Sequence, residues 1–171
     1  MSVKDNRIAI YAGSFDPITN GHIDLILRTL QIFDRVIIAL AVNPRKTPLF
    51  SVPERQALIA ASLDKKSLER VTIDSFEGLL VQYANRVGAK VLIRGLRAIS
   101  DFEFEFQMAN MNRHLDDSIE TMFMMTGEEA FYISSSFVRE VELFGGSVEG
   151  MVPMAVNQKL KERFPPKEVQ P

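Results

Sequence analysis

The 171-residue chain contains no cysteine. That excludes disulfides, thiolate metal sites and a cysteine nucleophile. It has little net charge: 20 Lys and Arg against 22 Asp and Glu leave −2. A protein that grips nucleic acid through bulk surface charge is far more basic than this, so no nucleic-acid partner is expected, although small phosphates could still meet local basic patches. Long apolar runs are also missing. The longest, Val36 to Val42, falls far short of the roughly 18 residues that suggest a membrane span. The chain opens Met-Ser-Val-Lys-Asp-Asn-Arg, without an apolar stretch of signal-peptide length. The expectation is a soluble cytoplasmic protein with no membrane partner. With only two histidines and no Gly-x-Ser-x-Gly elbow, a serine-hydrolase triad is a poor reading. No His/Asp/Glu cluster has metal-ligand spacing.

What is present reads as an ordinary globular domain: 46% hydrophobic and 25% charged residues, at a length that suits one domain, with 165–171 as a loose tail. Apolar β-rich runs alternate with helical patterns. Strands are expected at Arg7–Ala12, Arg35–Val42, Arg70–Ser75, Lys90–Ile93 and Ile119–Thr126. The second has Ile and Val on both faces, as in a strand buried on both sides. Ile23, Ile26, Leu27, Leu30 and Phe33 form a helical stripe over Gly21–Phe33. Ser51-Val52-Pro53-Glu54 fits a capping box opening a helix to about Leu63. Leu79–Val87 is a third helix, with Gly88 suited to its stop. In Asp101–His114, Phe102, Phe104 and Phe106 alternate with acids as in a strand, but the following residues favour helix. Ser136–Phe144 and Pro153–Phe164 complete the helices. The alternation implies an α/β fold: a doubly wound, Rossmann-like, five-stranded parallel sheet with helices on both faces.

In such sheets ligands bind beyond the carboxyl ends of the strands, so the loops there carry the chemistry. Gly13-Ser14-Phe15-Asp16-Pro17-Ile18-Thr19-Asn20-Gly21-His22 leaves a buried strand, turns and opens a helix. Free N–H groups at a helix start bind anions, and His22 could donate to a phosphate oxygen or simply be a solvated first-turn residue. The segment is neither a Walker loop nor a Gly-x-Gly-x-x-Gly fingerprint. Arg94-Gly95-Leu96-Arg97 places two arginine forks, which match phosphate geometry, immediately after a strand. Ser134-Ser135-Ser136 precedes an amphipathic run; one serine suffices for a cap, and the other two are surplus that an anion could use. Lys46, in the proline-bracketed loop Asn43–Pro48, could reach a phosphate as a point charge. By contrast, Met108, Met111, Met122, Met124 and Met125 read as core packing, His114 as a helix-end residue, and Glu103 and Glu105 as solvated acids, although an acid there could hold a ribose or base.

These segments carry a resemblance. The Gly13–His22 stretch and Ile133-Ser134-Ser135-Ser136-Phe137-Val138-Arg139 resemble the two signatures of the Thr/His-x-Gly-His nucleotidyltransferase superfamily. Ile93-Arg94-Gly95-Leu96-Arg97, with Asp101-Phe102-Glu103 and Met111-Asn112-Arg113, is similar to bacterial phosphopantetheine adenylyltransferases, over about residues 7 to 164. Ser14 stands where many members have Thr. The resemblance implies transfer of AMP from ATP to 4′-phosphopantetheine, with Mg²⁺ required and no covalent enzyme intermediate. It implies that His22 stabilises the transition state. Ser14, Lys46 and Arg94 would hold the acceptor phosphate, and Leu80 would line the pantetheine arm. Ser14, Phe15, His22, Gly95, Leu96, Arg97 and Glu105 would hold ATP. So would Ala130, Phe131, Tyr132, Ile133, Ser134, Ser135 and Ser136. The metal ligands stay unassigned, and a homo-oligomer, a hexamer, is implied. Two other readings stand beside it: a sister transferase with another acceptor, against which Arg94–Arg97 argues, and a non-catalytic nucleotide-binding regulator, against which His22, Lys46 and the serine loop argue.

Overall fold

The computed structural model describes residues 7–45 and 47–165. Five parallel strands, β1 (Ile8–Gly13), β2 (Arg35–Ala41), β3 (Val71–Phe76), β4 (Val91–Leu96) and β5 (Glu120–Met125), lie in the order β3-β2-β1-β4-β5. β1 is central. The chain builds outward through β2 and β3, then returns to the other side of β1 for β4 and β5. The direction of winding reverses between β1 and β4, which opens a crevice at their carboxyl ends.

The helices are α1 (Asn20–Ile32), α2 (Val52–Ala61), α3 (Lys65–Leu68), α4 (Leu80–Val87), α5 (Ile99–Leu115), α6 (Ser135–Leu143) and α7 (Met154–Arg163). Strand alternation divides the core. Ala9 and Tyr11 of β1 pack with Leu25, Ile26, Ile59, Val138 and Leu160, whereas Ile10 and Ala12 pack with Val81, Tyr83 and Ala84. β2 is buried over Val36–Leu40, the two-sided burial its composition implies. The Ser51 box forms: the Glu54 carboxylate accepts from Ser51 N–H at 2.8 Å, and Ser51 Oγ accepts from Glu54 N–H at 3.4 Å. Gly88 ends α4 in the left-handed conformation, φ 70°, where a Cβ would be strained.

The structure corrects several expectations. β4 does not stop at Ile93; it continues to Leu96, so Arg94, Gly95 and Leu96 are strand residues. β5 supplies a partner as far as Met125, and this pairing outweighs the poor strand propensity of Arg-Gly. The short helix α3, capped by Asp64, was not expected. The methionines are mostly not core: Met108, Met111, Met122 and Met125 are exposed, and Met124 packs against the core. β5 is an edge strand and α5 covers it from one side, which leaves outward faces that carry apolar residues. Over Phe102–Phe106 the alternation is helical after all, and Phe102 and Phe106, one turn apart, stack at 5.6 Å. No described helix is long and apolar enough to cross a membrane.

Candidate active site

Beyond the ends of β1 and β4 lies a cavity of about 420 Å³. Its floor is the loop after β1. Phe15 takes a left-handed backbone, φ 46°, at a cost of about 1 kcal/mol for a non-glycine residue. Neighbouring groups hold the loop there. The Asp16 carboxylate accepts from the Leu49 and Phe50 N–H groups at 2.8 and 2.9 Å. Arg139 donates to the Asp16 carbonyl and pairs with its carboxylate. Ser135 Oγ donates to the Pro17 carbonyl at 2.7 Å, and Arg55 donates to the Ser14 carbonyl at 2.7 Å. The two sequence signatures are thus physically laced: Ser135 and Arg139 of the second hold Pro17 and Asp16 of the first.

His22 sits in the first turn of α1 and faces this floor. Thr19 caps the helix, and His22 takes the position usually given to Glu in a capping box. Thr19 N–H donates to His22 Nδ1 at 3.0 Å. A backbone N–H only donates, so Nδ1 is an acceptor and the neutral ring carries its proton on Nε2. The ring packs edge-on against Phe15 at 5.2 Å. Burial, and then the charge of Arg97, lower its pKa from 6.5 to about 4. At neutral pH the site therefore presents an uncharged imidazole with Nε2–H as its donor.

This has a measurable consequence for stability. The unfolded chain protonates His22 near 6.5 and the fold near 4, so between those values the unfolded state binds more protons. Stability is full above pH 6.5 and falls with pH down to about 4, by about 3 kcal/mol from this group alone. Urea unfolding at pH 7 and pH 4.5 should show a smaller decline for His22→Gln than for the unchanged chain; equal declines would place the His22 pKa near its ordinary value.

The other wall is β4 and the start of α5. Arg94 forms a fork–fork pair with Glu105, both bonds 2.6 Å, and donates a third bond to the Ala12 carbonyl at 2.7 Å. Burial opposes the Arg94 charge, but the Glu105 carboxylate outweighs it and raises the pKa further. Glu105 is therefore not a solvated acid: α5 turns it inward to the arginine. Arg97 pairs with Asp101 at 2.9 Å, and that pairing lowers the Asp101 pKa. Gly95 lies where a Cβ would stand 2.4 Å from the buried Leu25 side chain, so close packing of α1 on β4 needs a glycine here.

Of the residues singled out from sequence, Ser14, Phe15, His22, Arg94, Gly95, Arg97, Glu105, Ala130, Ile133 and Ser134–Ser136 line the cavity. Ser134 is the cap of α6, accepting from Phe137 N–H at 3.0 Å. Leu96 is buried and donates no surface to the cavity, and Phe131 and Tyr132 stand exposed beside it. Leu80 opens α4 beyond β3, half-buried, away from the cavity. Lys46 lies outside the described residues, as do 166–171 of the tail. Tyr11, Asp101 and Phe104 line the cavity without having been singled out for it. Tyr11 gave no signal, since a tyrosine in a buried strand reads as core; burial pushes its hydroxyl pKa up, so it stays protonated. Arg55 did leave a signal: it shares the inward stripe of α2 with Leu58 and Ile59, an unusual place for a charge.

Among the described residues no three His, Asp or Glu side chains cluster as a metal site. The cavity carboxylates Asp101 and Glu105 are each committed to an arginine.

A floor at a helix start, an imidazole donor and forked arginines at the switch point of a parallel sheet make up the site of a nucleotidyltransferase. Residues 10–141 match the cytidylyltransferase-like family. The fold is shared with a nicotinate-nucleotide adenylyltransferase candidate from Vibrio parahaemolyticus, at TM-score 0.67 and 18% identity, covering 91% of this chain and 98% of that one. A bifunctional NMN adenylyltransferase/ADP-ribose pyrophosphatase from Francisella tularensis aligns at TM-score 0.65 and 15% identity, over 92% of this chain and 48% of that one. Much nearer in sequence is the phosphopantetheine adenylyltransferase of Anaeromyxobacter dehalogenans, 52% identical over 159 residues, 93% of this chain and 96% of the relative. That of Carboxydothermus hydrogenoformans is 53% identical over 158 residues, 92% and 96% of the two chains. The chain belongs to the phosphopantetheine adenylyltransferase family.

Proposed function

We propose that the chain transfers AMP from ATP to 4′-phosphopantetheine, giving dephospho-coenzyme A and pyrophosphate, a step of coenzyme A biosynthesis. The observation that carries the reading is the neutral His22, its Nδ1 taken by Thr19 N–H, lining the cavity beside the loop that Arg55, Arg139 and Ser135 hold. An oxygen of the acceptor phosphate attacks the α-phosphorus of ATP; the new P–O bond forms as the bond to the β-phosphate oxygen breaks, and pyrophosphate leaves. The chain supplies no nucleophile. Its work is positioning and charge stabilisation.

His22 donates from Nε2 to the α-phosphate oxygen as negative charge gathers there. Ser14, Phe15 and Ser134–Ser136 receive the ATP phosphates, with Gly95 and Arg97 beside the nucleoside. Ala130 and Ile133 close the same wall. Arg94 and Lys46 take the acceptor phosphate, Arg94 exchanging one arm of its Glu105 pair for it, and Leu80 meets the arm. Magnesium belongs to the substrate as MgATP. A homo-oligomer suits the apolar side chains left outward by α5 and β5, among them Phe102, Phe106, Met111 and Met125, and the family resemblance makes it a hexamer. Use of ATP fits a cytoplasmic location.

The purified chain with MgATP should release pyrophosphate when 4′-phosphopantetheine is added and not with pantetheine, which lacks the attacking group. Nicotinamide mononucleotide and glycerol 3-phosphate should fail, since neither presents a long amide arm. Turnover with one of these and none with phosphopantetheine would indicate a sister transferase. No pyrophosphate from any acceptor would indicate a binding protein.

A further inference from the structure

Three of the arginines at or behind the cavity have carboxylate partners: Arg94 with Glu105, Arg97 with Asp101 and Arg139 with Asp16. Arg55 differs. It is only 4% exposed, no described carboxylate lies within ion-pair distance, and its Nε has no hydrogen-bond partner. It donates from Nη1 to the Ser14 carbonyl at 2.7 Å. Burying a guanidinium without an anion is costly, and the position is not a lining one: Ser14 and Phe15 face the cavity, and Arg55 stands behind them.

The peptide it grips explains its place. Ser14 C=O and Phe15 N–H belong to one trans amide, so they point in opposite directions. With Arg55 on the carbonyl, the Phe15 N–H points away from Arg55, and no described group accepts from it. Phe15 itself holds a left-handed φ of 46°. A cation on the carbonyl also polarises the amide and strengthens its N–H as a donor.

We infer that Arg55 is a positioning residue for phosphate binding: it locks the Ser14–Phe15 peptide with its N–H toward the cavity and lends that N–H part of its unpaired charge. The bound polyphosphate is then the anion that the buried guanidinium lacks. This rests on the reading of the cavity as a nucleotide-phosphate site, and is independent of which acceptor is used.

Three substitutions separate charge from contact. Arg55→Gln keeps a donor for the Ser14 carbonyl and removes the charge, Arg55→Lys keeps both, and Arg55→Met keeps neither. Calorimetry with pyrophosphate and with adenosine reads the result, with thermal unfolding to confirm that each variant is folded. Arg55→Gln should bind pyrophosphate about 10-fold more weakly, the range of a lost charge-assisted bond, with adenosine affinity within about 2-fold. Arg55→Lys should restore most of the pyrophosphate affinity, and Arg55→Met should lose more than Arg55→Gln. In ¹H–¹⁵N spectra the Phe15 amide proton should move upfield in Arg55→Gln and less in Arg55→Lys. Pyrophosphate binding by Arg55→Gln equal to that of the unchanged chain would overturn the inference. So would parallel loss of both ligands, which marks a packing role. An unchanged chain that binds pyrophosphate but turns over no phosphopantetheine would fault the proposed acceptor and leave this inference standing.

Discussion

Alanine at His22 should lower kcat by about 10²–10³-fold, the range for loss of one transition-state donor, with ATP affinity changed little. The split follows from the geometry. Nδ1 is occupied by the Thr19 N–H at 3.0 Å, so Nε2–H is the only donor the neutral ring can offer. A neutral donor gains little on a ground-state phosphate already surrounded by amides and serines, and most where new charge develops in transit. Steady-state kinetics with saturating ATP, together with ATP binding by calorimetry, reads both quantities. A variant with near-normal turnover would remove His22 from the reaction; a variant that lost ATP binding and kcat/KM alike would make it an ordinary ligand-binding residue.

The second large effect concerns Arg94, and here the fold changes what sequence alone suggests. Removing a phosphate-binding arginine would ordinarily weaken a substrate and nothing else. Arg94 is also the partner of Glu105, whose side chain is 13% exposed against 26% for the arginine. Arg94→Ala strands that carboxylate. A fully buried pair broken from one side costs 3–5 kcal/mol; with this exposure about 2 kcal/mol is expected, or a fall in Tm of roughly 4–8 °C for a chain of this length. Acceptor use should fall at the same time. The double variant Arg94→Ala/Glu105→Ala should recover most of the Tm and none of the acceptor use. Thermal unfolding and acceptor-dependent pyrophosphate release distinguish the two losses. If the double variant were no more stable than Arg94→Ala, the ion pair would not be the source of the destabilisation. If acceptor KM were unchanged in both, Arg94 would be a structural residue only.

The exchange this implies, Glu105 for a substrate phosphate on the same guanidinium, also gives Glu105 a physical role. It holds the Arg94 guanidinium in place at the cavity wall before substrate arrives, at a distance of 2.6 Å on both arms. A preformed fork then needs little rearrangement to receive a planar pair of phosphate oxygens.

Much of this protein was determined by local signals in its sequence. Five β-rich runs separated by helical stripes specify a parallel α/β sheet, because strands buried on both faces and short connections leave few arrangements. The Ser51–Glu54 box and Gly88 mark helix ends through contacts within one turn, so they can be read without the fold. The loops at the strands' carboxyl ends announced the site, since that is where such sheets expose free N–H groups. Tertiary structure alone decided the rest. β4 runs through Arg94 to Leu96 because β5, distant in the sequence, pairs with it. Glu105 turns inward because Arg94 of β4 lies beside α5 and bonds its carboxylate at 2.6 Å, not because of anything in its own helix. Met108, Met111, Met122 and Met125 of α5 and β5 face outward because the sheet ends at β5. Arg55 and Arg139 acquire meaning only when folding brings α2 and α6 behind the loop after β1. Periodicity records which face of an element is apolar; it does not record which element lies beside it, and charge pairing at the cavity depends on that second fact.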